Sequence, residues 1–88
     1  MTAATVPSPP AGLGRALWQC RRGMKELDVL LERFARATLP TASAAELARF
    51  EALLRLPDPV LAGYLLGGET PPGPEMARLV ERVRAYVA

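Results

Sequence analysis

The sequence of 88 residues contains no histidine and one cysteine, and these two scarcities exclude several classes of site. Without histidine there is no Ser-His-Asp or Cys-His triad, no histidine general base and no histidine metal site. With Cys20 alone there is no intramolecular disulfide and no cysteine-rich zinc site. Because Cys20 lies within an apolar pattern, we interpret it as a small buried hydrophobic residue and expect no nucleophile there.

The sequence also lacks a long apolar run and a glycine-rich phosphate loop of Walker or Rossmann spacing. Its longest apolar stretch, Val60 to Leu66, is interrupted by Gly63 and is far too short to span a bilayer. Residues 1–10 contain neither a basic residue nor an apolar run, which is not typical of a secretory signal or a transit peptide. We therefore expect a cytoplasmic protein with residues 1–10 as a disordered tail.

Basic and acidic residues nearly balance, since eleven basic and nine acidic residues give a net charge of +2. This balance alone does not indicate nucleic-acid binding. The positive excess is confined to residues 11–37, which carry six basic side chains against three acidic ones. One function that these residues allow is a small basic nucleic-acid-binding module that uses Arg21 and Arg22. A general protein-interaction module is another, and we keep both as alternative functions.

Half of the residues are hydrophobic, and nine prolines divide the chain into segments with helical periodicity. No segment shows sustained alternation of apolar and polar residues, as a half-buried strand would. We predict an all-α fold, a compact five-helix bundle that forms a single domain over residues 11–88. The prolines fall in four places, within residues 7–10, at residue 40, within residues 57–59 and within residues 71–74.

Residues 11–39 leave two structures open, because Gly23 interrupts the single helical seam that their apolar residues follow. The seam consists of Leu13, Leu17, Cys20, Met24, Leu27, Leu31 and Phe34. Periodicity alone slightly favours one long helix. A helix of about 27 residues would be about 40 Å long, whereas a globule of this chain length has a radius of gyration of about 12 Å. We therefore predict two helices, with a turn around Arg22–Met24.

The later helices carry clearer boundary signals. Ser43 and Glu46 have the spacing of a capping box, which predicts a helix start. Asp58 followed by Pro59 predicts another start, with the aspartate as N-cap and the proline at the first helical position. Gly67-Gly68 predicts the end of that helix. A last amphipathic helix is predicted after the proline-rich segment 71–74.

The passage from Trp18 to Asp28 is unusual because it combines the only tryptophan, two adjacent arginines and a glycine. One interpretation is a solvated helix end, with Gly23 as the C-cap and Trp18 in the core. The other is a docking surface, because tryptophan and arginine dominate interface hot spots and glycine permits close backbone approach.

The string W-x-C-R-R-G-M-x-E-L-D resembles the signature of the succinate dehydrogenase flavinylation (assembly) factor family. The family's Arg-Gly-x-x-Glu motif is matched by Arg22, Gly23 and Glu26. The resemblance extends over about residues 13–84 and includes the Asp-Pro-x-Leu sequence that begins at Asp58. A departure is Val60, which stands where the family usually has an acidic residue.

The resemblance implies a five-helix bundle with the motif near the first helix junction. It also implies a non-enzymatic assembly factor, or chaperone, that binds the flavoprotein subunit of succinate dehydrogenase and promotes covalent FAD attachment. Fumarate reductase is a second candidate client. We expect a monomer that binds no FAD tightly, no metal and no nucleic acid, and that does not insert into a membrane.

The expected partner-binding residues follow from the motif and its surroundings. Glu26 has an alternative interpretation as an intrahelical partner of Arg22 or Lys25. If the first helix continued to Arg22, that residue would share a face with Arg15 and Trp18. No residue is predicted to be catalytic, to bind a cofactor or to bind a metal. The predicted partner-binding set is Arg15, Trp18, Arg22, Gly23, Glu26 and Asp58.

Overall fold

The structure, a computed structural model, describes residues 11–86, and these form five α-helices without a strand. The all-α five-helix prediction is confirmed. The tail predicted for residues 1–10 lies outside the described residues, as do residues 87 and 88. The helices are α1 (Leu13–Gln19), α2 (Lys25–Thr38), α3 (Ala44–Leu54), α4 (Asp58–Leu65) and α5 (Pro74–Ala85), with a short 3-10 helix (Leu39–Thr41) after α2.

One apolar core receives side chains from every helix. Helix α2 packs against α1, α4 and α5, while α3 packs against α1 and α5. The Phe34 ring stacks on Phe50 at 5.8 Å between centroids and meets Tyr86 edge-on at 6.2 Å. No polar or charged side chain is buried in the described part of the chain, so the core is held by apolar packing alone.

The first helical segment is broken into two helices, as predicted. Helix α1 ends at Gln19 and α2 begins at Lys25. Gly23 lies between them with φ of +84°, a left-handed conformation that residues with a Cβ rarely adopt. The chain therefore reverses here because glycine occupies the one position that needs this conformation.

Cys20 is fully buried, which confirms its interpretation as a small hydrophobic residue. Its Sγ donates a hydrogen bond to the carbonyl oxygen of Ala16 at 3.3 Å. Burial, reinforced by the negative charge of Glu32, raises the pKa of the Cys20 thiol to about 12. The thiol therefore stays protonated and unreactive at neutral pH.

Helix α3 begins with the predicted capping box. The Ser43 hydroxyl accepts a hydrogen bond from the Glu46 amide at 3.1 Å, and the Glu46 carboxylate accepts one from the Ser43 amide at 2.8 Å. The hydrogen bonds from Ser43 lower the pKa of the Glu46 carboxyl. Two amides that would otherwise lack a partner at the helix start are thereby satisfied.

The prediction that Asp58 caps α4 is wrong. The N-cap is Pro57, Asp58 is the first helical residue, and its side chain makes no capping hydrogen bond. The reason is a stronger partner, since the Asp58 carboxylate accepts a hydrogen bond from the Arg22 guanidinium at 3.0 Å. Helix α4 ends at Leu65, just before Gly67-Gly68, as predicted.

Candidate functional site

The Arg22 side chain is folded inward at a point where three helix ends meet, and it is only 15% exposed. Its Nε donates to Asp58 Oδ1 at 3.0 Å, at the start of α4. Its Nη1 donates to the carbonyl of Gln19 at 3.0 Å, at the end of α1. Its Nη2 donates to the carbonyls of Leu54 at 2.7 Å and Leu56 at 3.0 Å, at the end of α3. One guanidinium thus satisfies the carbonyls at the last residues of α1 and α3 and that of Leu56, which follows α3.

Asp28 of α2 holds the other side of the same turn. Its Oδ1 accepts a hydrogen bond from the Arg22 amide at 2.8 Å, and its Oδ2 accepts one from the Gly23 amide at 3.2 Å. Both carboxylate oxygens are therefore engaged by the backbone of the turn. The turn is fixed from inside by Arg22 and from α2 by Asp28.

Gly23 and Glu26 face the opposite way, toward solvent. Nothing lies within 4 Å of the position that a Cβ on Gly23 would occupy. Within residues 11–86, Glu26 forms no ion pair, so the alternative of an intrahelical partnership with Arg22 or Lys25 is not realised. The Arg-Gly-x-x-Glu motif is therefore divided, with its arginine inside and its glycine and glutamate outside.

The outer face of α1 adds Arg15 and Trp18, which are both exposed. Trp18 is 69% exposed, so the interpretation of this residue as core is wrong. The Arg21 guanidinium lies 5.8 Å from the Trp18 ring centroid, and its Nε lies 3.4 Å from a carboxylate oxygen of Glu32. Because α1 ends at Gln19, Arg22 does not continue the face of Arg15 and Trp18.

The Arg21-Arg22 pair does not form a free basic cluster. The Arg22 side chain is 15% exposed and bound to Asp58, while Arg21 is paired with Glu32. A nucleic-acid-binding surface needs cations that are free to reach phosphates. The geometry therefore weakens the alternative function based on these two arginines.

Apart from Trp18, the exposed apolar side chains are the feature of this region that sequence reasoning missed. Val29, Leu30 and Leu66 line a depression of about 340 Å³ whose rim carries Lys25 and Glu26. Periodicity offers one signal, since Val29 falls off the seam that contains the buried residues of α2. The large apolar residues exposed in the described part of the chain are Trp18, Met24, Val29, Val60 and Leu66.

Met24 belongs to this exposed set although the helical seam placed it among the apolar core residues. The seam assumes that one helix continues through the turn, whereas Met24 is extended and precedes α2 as its N-cap. The break at Gly23 releases this side chain from the core and leaves it 38% exposed.

The chemistry available here is that of surface recognition. Within residues 11–86, no three Cys, Asp or Glu side chains cluster in a way that could hold a metal ion. None of the helices in that range combines the length and the apolar composition that a membrane span requires. An exposed tryptophan, a bare glycine turn and an exposed carboxylate are the ingredients of a protein interface.

The Gly23 turn lies within a segment that matches a known protein family. Residues 14–87 match a family model described as "flavinator of succinate dehydrogenase", a range that contains the whole motif. The chain belongs to this family. The resemblance drawn from the Trp18–Asp28 passage is confirmed.

Individual relatives agree with the family match. Proteins named "FAD assembly factor SdhE" are 39% identical over 75 residues in Coxiella burnetii and 41% identical over 76 residues in Shewanella oneidensis. These alignments cover 85% and 86% of this chain, and 92% and 93% of the relatives. A protein of the same name from Methylococcus capsulatus is 42% identical over 74 residues. No solved structure gives a significant match to the chain.

Proposed function

We propose that this chain binds the flavoprotein subunit of succinate dehydrogenase and promotes covalent attachment of FAD to that subunit. The observation that carries the proposal is the exposed Gly23–Glu26 turn inside the family match over residues 14–87. Relatives named as FAD assembly factors, at 39% to 42% identity, support the same role. Fumarate reductase, whose flavoprotein subunit is related, is proposed as a second client.

The proposed docking face consists of Arg15, Trp18, Gly23 and Glu26, all of which are exposed. Trp18 supplies a rigid aromatic area, and Arg15 supplies a planar group that binds carboxylates. Gly23 presents a backbone without a side chain, so a partner can approach it closely. Glu26 places a carboxylate beside that backbone. Arg22 and Asp58, also predicted as partner-binding, bind each other within the chain.

The proposed mechanism is non-catalytic. The chain has no histidine and therefore no histidine base, and we place the flavin chemistry within the client. Docking would hold the domains of the immature subunit so that the flavin lies close to its acceptor histidine. Such positioning replaces an improbable encounter with a pre-arranged one, which lowers the entropic part of the barrier.

The chain is proposed to act as a monomer in the bacterial cytoplasm without binding FAD tightly itself. The sequence contains no glycine-rich loop of the kind that holds a pyrophosphate. The purified protein should accordingly be colourless. A yellow protein with stoichiometric FAD would instead favour a flavin-binding function.

The test is a reconstitution of flavin attachment. The apo flavoprotein subunit is mixed with FAD, with and without this protein, and covalent flavin is read as fluorescence in a denaturing gel. Faster labelling is expected with the unsubstituted protein, and Gly23→Arg should abolish the gain. An arginine side chain at this position would occupy the open space that the partner's backbone is proposed to enter.

Gly68→Arg provides a matched control for backbone strain. Gly68 also has a left-handed φ, +78° against +84° for Gly23, and open space at its Cβ position. Either substitution forces a left-handed conformation on an arginine and should cost about 1–2 kcal/mol of stability. Equal loss of labelling in both variants, at equal melting temperature, would contradict the docking face. No stimulation by the folded unsubstituted protein would contradict the function.

A further inference from the structure

We infer that Arg22 and Asp58 are positioning residues for docking, which fix the shape of the Gly23 turn from inside and make no contact with the client. The inference rests on the proposed function and deepens it. It separates the Arg-Gly-x-x-Glu motif into an inner half that sets the geometry and an outer half that meets the partner.

The Arg22 guanidinium already has hydrogen-bond partners within the chain. Its four hydrogen bonds leave Nε and both terminal nitrogens engaged. Arginine binds a partner carboxylate best in a bidentate manner, through two parallel N–H groups on one edge of the fork. The edges of this fork face Asp58 and the carbonyls at the ends of α1 and α3. A client carboxylate that bound in this bidentate manner would have to displace at least one of these internal partners.

Arg22 also connects the turn to the four helices α1 to α4. Its side chain binds the ends of α1 and α3 and the start of α4, while its backbone amide donates to Asp28 of α2. The side-chain link between the turn and the ends of α3 and α4 therefore depends on Arg22. Loss of the guanidinium would remove this link and leave the Arg22 and Gly23 amides bound to Asp28.

The junction formed by Arg22, Asp58 and the carbonyls of Gln19, Leu54 and Leu56 suits an arginine side chain. The acceptors lie in several directions around a planar group, which matches the fork of a guanidinium. A lysine ammonium is a compact charge with three donors on a flexible stem. Arg22→Lys therefore keeps the charge but should lose part of the junction, which makes it a sharper probe than deletion of the side chain.

The experiment pairs a measurement on the free protein with a measurement on the complex. Amide hydrogen exchange at positions 22 and 23, followed by NMR in the full-length chain, reports the order of the turn. The dissociation constant for the apo flavoprotein subunit reports docking. Arg22→Lys should accelerate exchange at these positions and raise the dissociation constant, each by about tenfold.

Asp58→Asn provides a second, milder variant if Arg22→Lys fails to fold. The Asp58 side chain is 46% exposed, and an asparagine oxygen can still accept the hydrogen bond from Arg22. The loss of charge should accelerate exchange and weaken docking by about threefold. Weaker docking with unchanged exchange would mean that these side chains contact the client, and that result would overturn the inference. Faster exchange with unchanged docking would overturn it as well.

A double-mutant cycle distinguishes a positioning role of Arg22 from a general effect on stability, because it measures the coupling between Arg22 and Glu26 in client binding. Glu26→Gln removes the exposed charge of the docking face without touching the junction. If Arg22 acts through the turn, the effect of Glu26→Gln on the dissociation constant should be smaller in the Arg22→Lys background than alone. Multiplicative losses would indicate two independent contacts and contradict the inference.

The failure of the proposed function can be told apart from the failure of this inference. If the unsubstituted chain does not bind the apo subunit, the proposed function fails and the docking role of Arg22 fails with it. Exchange at positions 22 and 23 in the free protein does not depend on a client. Unchanged exchange in Arg22→Lys would overturn the inference even where docking and flavin attachment are observed.

Discussion

The two sides of this bundle differ in what they expose. The turn side, which comprises α1, the Gly23 turn, α4 and the N-terminal half of α2, carries every large apolar side chain that is exposed within residues 11–86. The groove side is formed by α3 and α5 and is named for the depression of about 200 Å³ between these helices, and it exposes charged groups instead. The depression is lined by Glu46, Arg49, Glu75, Arg78, Leu79 and Arg82. There Arg49 lies 3.5 Å from Glu75, and the Arg82 guanidinium lies 5.3 Å from the Phe34 ring centroid.

This difference indicates which side meets a partner. Exposed apolar area on a small protein is a liability unless a partner covers it. Charged pairs on the groove side are satisfied within the chain and gain little from a further contact. The comparison therefore predicts that substitutions on the turn side affect flavin attachment and that matched substitutions on the groove side affect stability alone.

Trp18→Ala against Arg82→Ala should give the largest contrast. Trp18 is 69% exposed, and its loss removes the cation–π contact with Arg21, so stability should fall by about 0.5–1 kcal/mol. As a hot-spot residue its loss should weaken client binding by about 2 kcal/mol, roughly thirtyfold. Arg82→Ala removes a cation–π contact and should cost about 0.5–1 kcal/mol of stability with no loss of binding.

Urea unfolding and titration of the apo subunit measure the two quantities separately. If Trp18→Ala binds the subunit as tightly as the unsubstituted protein does, the turn side is not the client-binding side. The prediction for the groove side is wrong if Arg82→Ala weakens binding more than its stability loss explains.

Glu26→Arg against Glu75→Arg should give the next contrast. Both glutamates are exposed and lie in the first turn of a helix, where a negative charge is worth about 0.3–1 kcal/mol. Glu75 also has an exposed ion pair with Arg49, so the control variant loses slightly more stability. Only Glu26→Arg should slow flavin attachment, by about tenfold, because it reverses a charge beside the proposed partner backbone.

The rate of covalent labelling at saturating FAD measures this effect. Raising the salt concentration should leave most of the defect in place, since a desolvated contact is screened little. Equal rates for the two variants would remove Glu26 from the docking face.

Much of the fold follows from local signals in the sequence. The capping box at Ser43, the glycine at position 23 and the pair Gly67-Gly68 each determine a helix boundary by short-range chemistry. The break of the first segment followed from length, because one helix would have exceeded the size of the globule. These features need no knowledge of tertiary contacts.

The placement of Arg22 and Asp58 depends on contacts that are distant in sequence. Asp58 has the features of an N-cap, yet its partner Arg22 lies 36 residues earlier in the chain. The inward direction of Arg22 depends on carbonyls of Leu54 and Leu56, which no local pattern reveals. Motif membership identified the turn, but only the packing of α1, α3 and α4 determines which half of the motif faces solvent.

Leu66→Asn against Ala48→Asn should give the smallest effect and define the edge of the docking face. Leu66 is 44% exposed and lines the depression that also contains Glu26, so its apolar surface is continuous with the proposed contact. Asparagine is tolerated near a helix end, and the change should weaken client binding by about threefold through lost apolar area. Ala48 is exposed on α3, and Ala48→Asn should cost about 0.5 kcal/mol of helix stability without any effect on binding. Unchanged affinity in Leu66→Asn would end the docking face at Glu26 and leave the depression between α2 and α4 outside it.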